Sequence, residues 1–218
     1  MRRAVILGLA VLAGAAFAFS STEGSDVRAE EPQLEVAAER VDDDTCRLTG
    51  QVQARLGTSV EVSVDEECET TVSEEPVSPS MEPAGASLMA GLARVRGRVE
   101  TSHFGIMMTR LDAAFTWGWD SGIVYVYTNP ATIPNTGGCG WHVSDGPYSW
   151  WELGNMPSMI FRYAWAYFDT SCSPTMGGWT EVGPYGTNTG DYGNQCNYDI
   201  NVPIGSSASC TSWLEPWG

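Results

Sequence analysis

The chain has 218 residues, a formal net charge of −16, no lysine and six cysteines. Nucleic-acid binding rests on neutralising phosphates with Lys and Arg, and anionic membrane surfaces attract the same residues, so this charge argues against both partner classes; the lack of Lys also excludes Schiff-base and Ser-Lys chemistry. All nine tryptophans lie between Trp117 and Trp217 and all eight tyrosines between Tyr125 and Tyr198, so an acidic, aromatic-poor part precedes an aromatic-dense one.

Met1-Arg2-Arg3 and the apolar run Ala4 to Ala18, with small residues at Ala16 and Ala18, form the pattern of a secretory signal peptide over residues 1–18. The run is shorter than the roughly 20 residues of a membrane-spanning helix, so the expectation is a secreted, extracellular protein with no membrane span. In an exported chain, Cys46, Cys68, Cys139, Cys172, Cys196 and Cys210 read as three disulfides. There is no Cys-x-x-Cys, and His103 and His142 are the only histidines, so neither a metal nor another cofactor is expected.

Residues 19–33 are polar and acidic without periodicity, which predicts a disordered leader. Residues 34–72 predict a small acidic β-hairpin module: Val52 and Ala54, then Val60, Val62 and Val64, alternate with polar residues on either side of Leu56-Gly57-Thr58. Folding about Gly57 sets Ala54 against Val60, Val52 against Val62 and Cys46 against Cys68, close enough for a disulfide. Residues 73–94 carry Pro76, Pro79 and Pro83 among Ser and Glu and read as a linker, with a helical turn over Ser87 to Ala93. Residues 95–218 read as an aromatic-rich β domain. Strands are expected from Leu111 to Trp119, Ile123 to Thr128, Trp141 to Ser144 and, most clearly, Ser158 to Asp169. A long loop is expected over Asn129 to Gly140, and a hairpin through Ile200 to Ser209. The fold class is therefore all-β: a disulfide-stapled β-sandwich, or a barrel, behind the hairpin module. The hairpin pairs Cys196 with Cys210, leaving Cys139 for Cys172.

No catalytic signature is present. Gly118-Trp119-Asp120-Ser121-Gly122-Ile123 shares Asp-Ser-Gly with trypsin-like nucleophile loops, but a hairpin turn explains it. Asp112, Asp120, Asp145, Glu152, Asp169 and Glu181 are the carboxylates a glycosidase could use, and His142 is the candidate general base. Asp191, Asn194, Asn197 and Asp199 match no calcium loop. On the 158–169 strand, Met159, Phe161, Tyr163, Trp165 and Tyr167 share one face; Ile160, Arg162, Ala164, Ala166 and Phe168 share the other. Because a charge is seldom buried, Arg162 assigns its own face to solvent and the aromatic ladder to the core. Trp141, Trp150 and Trp151 stand among turn residues, and adjacent tryptophans on a strand cannot both point inward, so these three are the expected ligand-binding residues. The sequence thus points to a secreted, non-catalytic protein that binds an extracellular glycan or protein through exposed tryptophans. The alternatives are a small secreted hydrolase using carboxylates or His142, and an extracellular inhibitor or envelope structural protein.

Overall fold

From Leu92 to His103 every second side chain is buried, Ala93, Val95, Gly97, Val99 and Thr101 on one face with Arg94, Arg96, Arg98 and Glu100 on the other. That period of two, the mark of a strand with one face on a core, recurs through the molecule. A computed structural model describes residues 34–77, 92–120, 123–153, 159–187 and 189–215. Among them are twelve strands and no helix: β1 (Glu35–Asp42), β2 (Thr45–Arg55), β3 (Thr58–Val64), β4 (Thr70–Pro76), β5 (Leu92–His103), β6 (Ile106–Asp120), β7 (Ile123–Thr136), β8 (Trp141–Leu153), β9 (Met159–Thr170), β10 (Gly177–Thr187), β11 (Tyr192–Pro203) and β12 (Ser206–Leu214). The described residues therefore hold no helix long and apolar enough to cross a membrane.

The strands form two antiparallel six-stranded sheets. Sheet A runs β1-β2-β11-β10-β9-β8 and sheet B runs β4-β3-β12-β5-β6-β7. They lie face to face as a sandwich rather than a closed barrel. The inward faces supply Leu48, Val52, Phe168, Tyr198 and Ile200 from sheet A, and Val62, Val95, Leu111, Phe115 and Trp117 from sheet B, all 2 % exposed or less. Burying each such side chain stabilises the fold by about 1.5–3 kcal/mol. Trp117 crosses the interior to lie on Gly186 of β10, where an added Cβ would fall 2.3 Å from the indole. Its Nε1 donates to the Thr187 carbonyl at 3.3 Å.

The acidic segment expected as a hairpin module supplies strands to both sheets. β2 and β3 join through Leu56-Gly57, as the alternation indicates, but they do not pair with each other. Ala54 lies beside Asn194 and Val52 beside Cys196 in sheet A; Val60 lies beside Cys210 and Val62 beside Ala208 in sheet B. The valines still share the interior, facing one another across the sandwich instead of along a ladder. β11 and β12 behave alike: their tight connection at Ile204-Gly205 is a corner between sheets. The three disulfides join the expected pairs, Cys46–Cys68, Cys139–Cys172 and Cys196–Cys210, and none of the cysteines is free. Cys196–Cys210 pins the two sheets together through the core, while Cys139–Cys172 closes the end of the β8–β9 ladder beside the Trp141–Thr170 pair.

Other boundaries shift as well. The expected linker over 73–94 is strand at both ends, in β4 and β5, and its middle lies outside the described residues, as do residues 1–33. Of the expected helical turn, Leu92 and Ala93 open β5 and the rest is outside that set. The loop over 129–140 is largely taken up by β7, which runs to Thr136.

The outer faces differ in chemistry. On sheet B, Arg98 holds Asp112 through two hydrogen bonds of 2.6 and 3.2 Å. Arg94 pairs with Glu215, Arg110 with Glu100, and the Arg98 guanidinium stands 5.0 Å from the Trp213 ring centre. On sheet A the outer face is aromatic.

Candidate functional site

β9 sets the orientation of that surface. Ile160, Ala164, Ala166 and Phe168 point into the core, and Phe161, Trp165 and Tyr167 point outward. This reverses the expectation drawn from Arg162. The residue has core parity, yet it lies next to the edge strand β8, half-buried, with Ser149 Oγ accepting from its guanidinium. Burial holds its pKa below the ordinary arginine range. One accommodated arginine left the remaining core-facing positions free to be small or apolar, so the ladder is the outer face.

Directly opposed residues of antiparallel strands share a face, so register lays the surface out in rows. Asp145, Tyr167, Trp179 and Asp199 form one row across β8, β9, β10 and β11. Tyr148, Trp165, Glu181 and Asn197 form the next. Beyond them Trp150 lies beside Tyr163, with rings stacked at 5.4 Å. Tyr163 in turn stacks on Phe161 at 5.5 Å with planes 5° apart. Tyr163 lies flat because its neighbour on β10 is Gly183: a Cβ there would fall 2.7 Å from the phenol ring. Tyr148, Trp150 and Tyr167 are 47, 39 and 40 % exposed, large values for rings of this size.

Two grooves run over these rows. One, of about 250 Å³, is lined by Trp150, Trp165, Tyr167, Trp179 and Glu181. The other, of about 510 Å³, includes Arg40, Arg47, Asp199 and Asn201 and shares Tyr167 and Trp179 with the first, so the two are continuous. Polar groups in and beside them are held in place. Asn197 Nδ2 donates to Glu181. Arg47 clasps Asp199 with two hydrogen bonds of 2.8 and 3.1 Å, which raises the arginine pKa. Tyr148 donates to Asp145 at 2.6 Å, and that bond raises the phenol pKa. Gln53 Nε2 donates to the Tyr185 hydroxyl at 3.1 Å.

The three tryptophans singled out from the sequence separate. Trp150 belongs to the groove. Trp141 does not: it is 5 % exposed and packs in the core, bordering a separate apolar cavity of about 310 Å³ with Met108, Met176 and the Cys139–Cys172 disulfide. Its neighbours looked like a turn, but it opens β8 with inward parity. Trp151 is opposite Arg162 in register, on the other parity from Trp150, and its side chain lies outside the described residues. Of the carboxylates whose side chains are described, Glu181 lines the aromatic groove. Asp112 is sequestered by Arg98, and the side chains of Asp120 and Glu152 lie outside the described residues. His142 is exposed, with Nδ1 3.2 Å from the Gly140 carbonyl, and lines neither groove. Trp165, Tyr167, Trp179 and Asp199 were not expected in the site. The parity of β9 had already grouped two of them, and only the choice of face was missing.

Comparison of the chain with protein-family models, curated proteins and solved structures finds no match.

Proposed function

We propose that the protein is exported and binds an extracellular glycan on the outer face of sheet A. Sugar rings stack on Trp150, Trp165, Tyr167 and Trp179, and hydroxyls bond to Asn197, Asn201 and the Arg47–Asp199 pair. One observation carries the reading: a contiguous row of large rings sits on the face that the core does not use. Exposed apolar patches of this kind mark binding surfaces. Rings along one face of a strand recur every two residues, so Phe161 to Tyr167 spans roughly 20 Å, enough for several sugar units in line. Export is supported by the pairing of all six cysteines in disulfides and by the pattern of residues 1–18. A hydrolase reading would use Glu181 with Asp199, but Asp199 is ion-paired with Arg47 through both oxygens, and the groove is an open surface; binding without turnover is the better fit.

The test is a glycan array followed by calorimetry on the hits. Trp150→Ala and Trp165→Ala are expected to weaken binding at least about tenfold each, about 1.4 kcal/mol, with thermal unfolding little changed because both rings lie outside the core. Hits that survive both substitutions at full affinity place the ligand elsewhere.

A further inference from the structure

We propose that one end of the sandwich, around Phe104, docks a basic protein segment that seats an apolar side chain in the adjoining cavity. This site is separate from the aromatic face of sheet A and does not rest on the glycan reading. Phe104 and Gly105 form the two-residue turn between β5 and β6, with His103 paired to Ile106. Both have positive φ, 47° and 74°, as in a type I′ turn, where Asn is favoured at the first position and a bulky side chain is strained. Phe104 nevertheless stands there 82 % exposed, with Ile106 at 62 %; no other large hydrophobic among the described residues is as exposed as these two. A polar residue would suit both the backbone and the solvent better, so the ring points to a contact outside the fold. Ile106 also lines the apolar cavity of about 310 Å³ with Met108, Trp141, Met176 and the Cys139–Cys172 disulfide. That is twice the roughly 150 Å³ that admits a benzene ring, and flexible methionines let the lining adapt to an aromatic or branched side chain.

The charge around this end selects the partner. Pro203, which also lines the cavity, leads into the β11–β12 corner. There Ile204 N donates to the Asp44 carbonyl at 3.0 Å and Gly205 N to the Val64 carbonyl at 3.1 Å. The Phe104 ring stands over the same corner, 3.6 Å from where a Cβ on Gly205 would lie. Two acidic connections therefore abut the apolar site. The β1–β2 turn carries Asp42, Asp43 and Asp44; the β3–β4 connection carries Asp65, Glu66, Glu67 and Glu69. The Cys46–Cys68 disulfide staples them to each other, and all these carboxylates except Asp42 are exposed. Asp42 and Asp65 accept from main-chain N–H groups, which orient a carboxylate without cancelling its charge. The Arg40 guanidinium donates to the main-chain carbonyls of Asp43 and Glu66, one cation beside seven carboxylates. A second copy of the chain would press two such clusters together, and an anionic membrane is repelled. A small apolar molecule would fill the cavity and leave Phe104 in water. A segment with Lys or Arg around an apolar residue satisfies both parts, an apolar centre and a complementary charged rim.

The experiment selects displayed random peptides on the intact disulfide-bonded protein, then titrates the leading synthetic peptide into the protein and its variants by calorimetry. The selected peptides are expected to combine Lys or Arg with an aromatic or branched aliphatic residue. Phe104→Asn is expected to weaken binding at least about tenfold, and the double change Asp43→Asn with Glu67→Gln to weaken it and flatten its dependence on salt. Because Asn suits the turn, Phe104→Asn is expected to unfold at the same or a higher urea concentration, so the loss cannot come from unfolding. A less stable Phe104→Asn protein makes the ring a structural residue and overturns the proposal. So does a selection that yields no binder, peptides without basic residues, or peptides that bind Phe104→Asn equally well. A dimer in sedimentation that Phe104→Asn abolishes would put a second copy on this face, and Phe104-dependent binding to phosphatidylcholine vesicles would put a membrane there; either result overturns the proposal. The glycan reading stands or falls separately, on Trp150 and Trp165.

Discussion

At the scale of single residues, polar groups away from water show most clearly what the fold tolerates. Tyr198 is 2 % exposed, packs in the core, and its hydroxyl has no hydrogen-bond partner among the described residues. Burial raises its pKa far above the ordinary tyrosine range. The unfolded chain therefore releases this proton first, near pH 10. The contribution is complete below that pH and is lost as pH rises above it. Tyr198→Phe removes an unpaired buried hydroxyl and is expected to stabilise the protein at neutral pH by about 1 kcal/mol. It is also expected to flatten the loss of stability above pH ~10; Tyr185, whose pKa burial also raises, keeps part of the slope. Urea unfolding of both proteins at neutral and alkaline pH measures this, and a destabilised variant would show that the hydroxyl is satisfied. Arg162 teaches the complementary point. The rule that charges avoid burial is statistical, and one arginine beside an edge strand, with Ser149 to receive it, was enough to invert the assignment of a whole sheet face.

At the scale of elements, alternation was legible and partners were not. Val52, Ala54, Val60 and Val62 share an interior, as the period of two dictates. A hairpin whose arms pair, and a corner whose arms enter facing sheets, bury the same residues. Only long-range pairing with β11 and β12 decides between them, and no local pattern encodes it. The cysteine pairs were legible for the same reason: Cys46 and Cys68, like Cys196 and Cys210, meet in the interior under either arrangement. β10 was not legible, because its glycines lower strand propensity while serving as floors for Trp117 and Tyr163. The staples differ in exposure, and this gives an ordered prediction. Cys139 and Cys172 are exposed, whereas Cys46, Cys196 and Cys210 are fully buried and Cys68 nearly so. Mild reductant on the folded protein is expected to open Cys139–Cys172 first, as read by alkylation and mass mapping. Removing Cys196–Cys210 by paired Ala substitution is expected to cost about 2–5 kcal/mol. Labelling of Cys196 before Cys139 in folded protein would contradict the assigned role of the inner staple.

At the scale of the whole molecule, the sandwich separates its tasks by face. The outer face of sheet B is a network of Arg, Asp and Glu, that of sheet A is aromatic, and the acidic residues Glu35, Glu39, Glu74 and Glu75 lie on the edge strands β1 and β4. Charged edge strands discourage edge-to-edge pairing at β1 and β4. Concentration of the aromatics in the second part of the chain was visible from composition; their division between core and surface needed the register of β8, β9 and β10. The most direct test is oxidative footprinting of tryptophan, read residue by residue with mass spectrometry, with and without a saturating oligosaccharide. Trp150 is expected to react in the free protein while Trp117 and Trp141 are spared, and bound glycan is expected to protect Trp150, Trp165 and Trp179 together. Reaction at Trp141 ahead of Trp150, or a glycan that binds and leaves Trp150, Trp165 and Trp179 as reactive as before, would contradict the account.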